Sequence, residues 1–290
     1  TKRPLYYLAF AGVVNVILNL FFVIVCHLGV AGVALASMIS QFISAFLILR
    51  ALLTGKEKYC LRLSEIRFDK RKAVGILQIG IPSAFQYSLF AFANLFVQSS
   101  VNSFDHVLVE GNSAAANADP LVYDMMAAFY TACSSFIAQN FGARKKKRIL
   151  QTYLICLFYS FITSLVLGVG IYLARYPFLY LFTSDKAVVE AGITRLSIMA
   201  LSYSASAFMD ASIAASRGLG KTAVPTFVVV MGSCVFRIIW IYTIFAYFHT
   251  IQSLYILYVF SWGITAIAEN IYFFHVYRHT LTGKTESHLK

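Results

Sequence analysis

The chain of 290 residues is 59% hydrophobic and 12% charged, with a mean hydropathy of +0.73 and a formal net charge of +12. Such apolarity excludes a soluble globular domain. A nucleic-acid surface is excluded too, because it would set aromatic platforms among the basic residues, whereas the aromatics here lie mostly in apolar runs.

A bilayer core about 30 Å thick is crossed by roughly 20 residues of helix. Runs of that order occupy 5–27, 30–53, 74–99, 121–139, 149–173, 191–216, 223–248 and 252–277. Their continuous apolarity predicts helices, since barrel strands would alternate with period two. The predicted fold class is an all-α polytopic membrane protein with eight transmembrane helices.

In the first run, Asn15 and Asn19 form an i, i+4 pair that either lines a cavity or bonds a neighbouring helix. The connection 54–72, TGKEKYCLRLSEIRFDKRK, sets Cys60, Leu61, Leu63, Ile66 and Phe68 among charges, which predicts an interfacial amphipathic helix. In the third run Gln78, Gln86 and Asn94 fall on one stripe, facing either a cavity or another helix. Pro82 loosens that helix. The connection 101–120 is polar and predicts a flexible outward loop.

After the fourth run, QNFGARKKKR gives Gln139, Asn140 and Gly142 the character of a helix-ending turn anchored at headgroups. RGLGKT, with Arg217, Gly218 and Gly220, predicts a second such turn. A nucleotide-binding loop would need glycine where Ala215 stands. The five cysteines are scattered without CxxC spacing, so neither a disulfide framework, a metal site nor a cofactor is indicated.

Assigned to alternating connections, 20 of the 24 Lys and Arg fall on one side, among them Lys2, Arg50, Arg67, Arg144, Arg217 and Arg278. The other side holds Arg175 and Lys186, while Arg195 and Arg237 lie within runs; Arg195 is near an outer end and can snorkel. The basic side is the cytoplasm by the positive-inside rule, which puts both ends of the chain there.

Charges within spans are costly and need partners or water. Asp210 lies about 10 Å inside Arg217, and Glu269 about 13 Å inside Arg278. Arg237, near the middle of its run, is within reach of either if the helices adjoin. Two readings follow: a structural ion pair, or a carboxylate that exchanges H⁺ or Na⁺, with Asp210 preferred and Glu269 second.

The first two and last two helices look alike. Thr1 and Pro4 match Thr222 and Pro225 at an offset of 221, and a slip of one residue aligns His27 with His249. An offset spanning six helices makes a parallel repeat. The expectation is that the chain begins inside the loop joining helices four and five of a twelve-helix protein.

IGIPSAFQ (79–86), AQNFGARKKKR (138–148), and RGLGKTAVP (217–225) followed by CVFRIIWIY (234–242) resemble the second half of multidrug and toxic compound extrusion (MATE) transporters. The resemblance implies helices five to twelve of two rocking six-helix lobes. Residues 1–53 would close the first lobe, 54–72 link the lobes, 73–277 form the second lobe and 278–290 make a cytoplasmic tail. It implies efflux of small organic, cationic substrates in exchange for Na⁺ or H⁺, by a monomer in the plasma membrane. Asp210 falls on helix ten, where acidic residues occur in the family, but 74–99 lacks the acid some members carry in helix seven. The alternative within the superfamily is a flippase for lipid-linked oligosaccharide or another amphiphile, which would want a cationic cavity. An intramembrane enzyme is disfavoured, since no HExxH, GxSxG or DxxD pattern occurs.

Overall fold

The structure is a computed structural model that describes residues 2–54, 61–62, 64 and 66–280. Among these, eight helices are long and apolar enough to cross a membrane. They are α1 (Pro4–Val25), α2 (Gly29–Thr54), α3 (Lys70–Val101), α4 (His106–Gly142), α5 (Lys146–Leu173), α6 (Lys186–Gly218), α7 (Ala223–Phe248) and α8 (Ile251–His279). The chain is an all-α multi-pass membrane protein. A short helix, Arg175–Tyr180, precedes α6.

The chain divides into two compact units, Thr1–Lys70 and Arg71–Lys290. In the first, α1 and α2 pair as a hairpin. Gly32, Ala36, Ser40 and Ser44 recur every fourth residue and make the buried face of α2, the small-residue pattern that lets membrane helices approach closely. Asn15 Nδ2 donates to Ser40 Oγ at 3.1 Å and Asn19 Nδ2 to Asn15 Oδ1 at 3.0 Å, so this amide pair stitches the hairpin.

The expected interfacial helix at 54–72 falls largely outside the described residues, Cys60 and Leu63 included; 66–69 carry no helix. The tail beyond Thr280 also lies outside them.

In the second unit α6 is central, flanked by α4, α5 and α8. Its most apolar window is 72% buried, against 44% for α8 and less for every other span. Small side chains explain this. Ser202, Ser204, Ser206 and Ser212 each return their hydroxyl to a carbonyl of α6 itself, so they add little volume and leave no donor unpaired.

Residues 101–120 are not a flexible loop. His106–Ala116 is helical, capped by Asp105 Oδ1 on Leu108 N at 2.8 Å, and buries Gly111, Asn112, Ala114 and Ala115. Only a turn at Asn117 separates it from Ala118–Gly142. Its small residues, which suggested a loop, serve a close contact: a Cβ on Gly111 would strike the Val188 carbonyl and Gly192 of α6.

Helix α7 departs twice from α-geometry, with π-turns at Val230–Val235 and Ile241–Phe245 around the segment Phe236–Trp240. Helix α1 has one π-turn, Phe21–Val25. Each of these helices is followed by a histidine in the left-handed region, His27 at φ 52° and His249 at φ 47°. Each hairpin is also bridged by a polar side chain reaching a serine: Asn15 to Ser40, and Arg237 Nε to Ser261 Oγ at 3.3 Å. The likeness of the two hairpins thus extends from residue pattern to backbone.

Candidate functional site

Within the second unit, α3, α4, α6, α7 and α8 enclose a cavity of about 440 Å³, in the size range of small-molecule sites. Six rings wall it: Tyr87 and Phe90 of α3, Tyr123 and Tyr130 of α4, Tyr258 and Trp262 of α8. Tyr123 stands edge-on to both Tyr203 and Trp262, with centroids 5.8 and 6.0 Å apart.

Three charged side chains line the cavity: Asp119, Asp210 and Arg217. Asp119 is compensated. Its Oδ2 accepts from Arg195 Nη2 at 2.6 Å and its Oδ1 from the Tyr203 hydroxyl, while Arg195 Nη1 donates to Asn112 Oδ1 at 2.7 Å. Arg195 is therefore buried and ion-paired, not snorkelling, because the helix read as a loop brings Asn112 and Asp119 to it. Asp210 differs. Half-buried on α6, it makes no hydrogen bond or ion pair among the described residues, and Arg217 is the cation whose charge acts on it.

Arg217 does not reach toward headgroups as its place in a basic turn suggested. It folds into the cavity, where Nη2 donates to Gln86 Oε1 at 2.8 Å, an oxygen that also accepts from Thr226 Oγ1 at 3.2 Å. Asn94, two turns beyond Gln86, lines the cavity and accepts from Arg237 Nη1 at 2.7 Å. Gln78 is exposed and lies outside the cavity, and Asn15 and Asn19 belong to the other unit.

Arg237 meets neither carboxylate. Wholly buried, it is held by Asn94 and Ser261, with its guanidinium 4.7 Å from the Phe90 ring centre and 4.6 Å from that of Tyr258. Cation–π contact and hydrogen bonds to one amide and one hydroxyl stand where the ion-pair reading would have put an acid. Glu269 is also wholly buried, and neither carboxylate oxygen has a hydrogen-bond partner among the described residues.

A family model, MatE, matches residues 82–243, more than half of the chain. The chain belongs to the MatE family. MatE proteins are transporters and not enzymes. The chain is 31% identical over 150 residues to the probable multidrug resistance protein YpnP of Bacillus subtilis (strain 168), covering 51% of this chain and 33% of that protein. It is 24% identical over 204 residues to the probable multidrug resistance protein NorM of Thermotoga maritima, covering 69% and 43%. The chain thus spans less than half the length of these relatives. A MOP superfamily transporter from Pyrococcus furiosus superposes over 93% of this chain and 61% of its own with a TM-score of 0.85; at 19% identity this bears on the fold.

The turns that suggested the MatE resemblance are built differently from their letters. The left-handed residue after α4 is Arg144, φ 55°, not Gly142, and Asn140 Nδ2 donates back to Phe136 O at 2.8 Å within its own helix. Gln139 O accepts from the Ala143 N–H. Gly218 belongs to α6, where a Cβ would press on the Ser134 carbonyl and Ile137 of α4. Gly220, at φ 75°, does make the turn. The cavity rings carry no signal of their own in a chain with 26 Phe, 18 Tyr and 2 Trp. The one signal for this wall was the spacing of Gln86, Phe90 and Asn94.

Proposed function

We propose that the chain is the last eight helices of a twelve-helix MatE exporter that expels small organic cations across the plasma membrane in exchange for H⁺ or Na⁺. The observation that carries this is Asp210, a carboxyl group without a hydrogen-bond partner among the described residues, facing a cavity walled by six rings. A flat cation would stack on such rings, with the carboxylate as its counter-charge. The same carboxylate cannot be neutralised by a coupling ion and by the substrate at once, and that competition is what antiport requires. Glu269 is the second proposed carrier, since its buried oxygens have no hydrogen-bond donor among the described residues. The matching hairpins support the twelve-helix reading, and the basic asymmetry supports placing both ends in the cytoplasm.

The test uses the whole transporter in proteoliposomes, following ethidium under an imposed pH gradient and then an Na⁺ gradient. Wild type is expected to move ethidium under one gradient, which names the ion, and Asp210→Asn to abolish that movement. Undiminished movement in Asp210→Asn would return Asp210 to a structural role. No movement under either gradient would overturn antiport and favour a flippase.

A further inference from the structure

Helix α3 is attached to its unit in its own way. Helices α4, α5, α6 and α8 pack backbone to backbone, as at Gly168 and Gly218, whereas among the described residues α3 reaches its neighbours mainly through side chains. Two of these are amides, each held by a guanidinium from another helix: Gln86 by Arg217 and Asn94 by Arg237. The Arg237 clasp is enclosed by its aromatic cage and fixed. The Arg217 clasp is open to the cavity and has an alternative.

Asp210 precedes Arg217 by seven residues on α6, two turns or roughly 10 Å along nearly the same face. Both side chains line the cavity, and Arg217 Nε is buried without a partner among the described residues. Arg217 therefore has two acceptors in prospect, the Gln86 amide that it holds here and the Asp210 carboxylate. An ionised carboxylate is the stronger.

We propose that Arg217 is a positioning switch that ties the charge on Asp210 to the attachment of α3. The proposal rests on the reading of Asp210 as the ion-coupling group. While Asp210 is neutralised by a proton or cation, Arg217 stays on Gln86 and clasps α3, the arrangement in this structure. When the ion leaves to solvent, the carboxylate draws Arg217 along α6 and Gln86 is left with Thr226 alone. Gln86 lies one turn beyond Pro82, which offers no N–H to the Gln78 carbonyl, so α3 yields most easily beside the released clasp. The cavity then opens at its Arg217 end. The other titratable groups about the switch are Tyr87 of α3, Asp119, Tyr123, Asp124 and Tyr130 of α4, Cys234 and Arg237 of α7, and Tyr258 and Glu269 of α8.

The experiment places nitroxides at Ile76 and Lys221, both exposed, in the otherwise cysteine-free whole transporter in nanodiscs. Their separation is measured by double electron–electron resonance from about pH 5 to about pH 9 without Na⁺. Wild type is expected to lengthen as pH rises. Arg217→Gln and Gln86→Leu should lose the pH dependence, and Arg217→Lys should restore part of it. Gln86→Glu, nearly isosteric, should hold the short distance at every pH. A pH response that survives in Arg217→Gln or Gln86→Leu overturns the switch. So does a response lost in Glu269→Gln but kept in Asp210→Asn. A flat wild-type response alongside ion-driven ethidium movement that needs Asp210 overturns the switch while leaving the coupling role intact.

Discussion

Asp119→Leu will destabilise the six-helix unit by about 3–5 kcal/mol, the cost of leaving a buried charge without its partner. Arg195 is 6% exposed, and among the described residues only Asn112 and the ring of Tyr255, 5.7 Å from the guanidinium carbon, would remain to it. Tyr203, 1% exposed, would lose its hydroxyl acceptor at the same time. Asp119→Asn keeps the shape and loses the charge, so a smaller loss is expected. The double variant Asp119→Leu/Arg195→Leu should recover most of the loss, because it removes both charges. Thermal unfolding of purified protein in detergent, followed by tryptophan fluorescence, measures all three. Equal midpoints for Asp119→Leu and wild type would mean that the pair contributes nothing.

The second large effect turns on a pair of glycines two residues apart. At Gly168 a Cβ would collide with the carbonyl oxygen of Ala200 on α6, and backbone there cannot step aside without moving the central helix. Gly168→Ala is expected to cost about 1–3 kcal/mol. At Gly170 no atom lies within 4 Å of the added Cβ, so Gly170→Ala should be neutral or stabilise by up to about 1 kcal/mol through helix propensity. The same melts settle the contrast. A like response from both positions would show that α5 and α6 do not meet as closely as described.

Hydropathy alone revealed the eight spans, because each run is apolar for longer than any soluble core helix needs. It failed at 106–116, where Gly, Ala, Ser and Asn are small enough to lie against α6 but not apolar enough to register. That one error hid the Asp119–Arg195 pair, whose members are 76 residues apart and looked like a loop acid and an interfacial arginine. The polar stripe of α3 was legible for Gln86 and Asn94, while Gln78, across Pro82 from them, is exposed. Spacing shows which residues share a face but not what the face meets. Arg217 reads as a turn residue until Gln86, 131 positions earlier, is seen to hold it. Arg237 found an amide instead of an acid for the same reason.

The two π-turns of α7 account for the slip between the repeated hairpins. Each π-turn holds one residue more than the α-helix it interrupts. Helix α7 has one more π-turn than α1, and the offset between the copies grows from 221 at Thr222 to 222 at His249. The stretch from Thr222 to His249 is therefore one residue longer than that from Thr1 to His27, and the additional π-turn of α7 takes up that residue. Removing one residue from Val230–Val235 would return that turn to α-geometry and leave Pro225, Thr226 and Arg237 on the faces that they hold now. This stretch of α7 can lose a residue where a regular helix would be turned by roughly 100°.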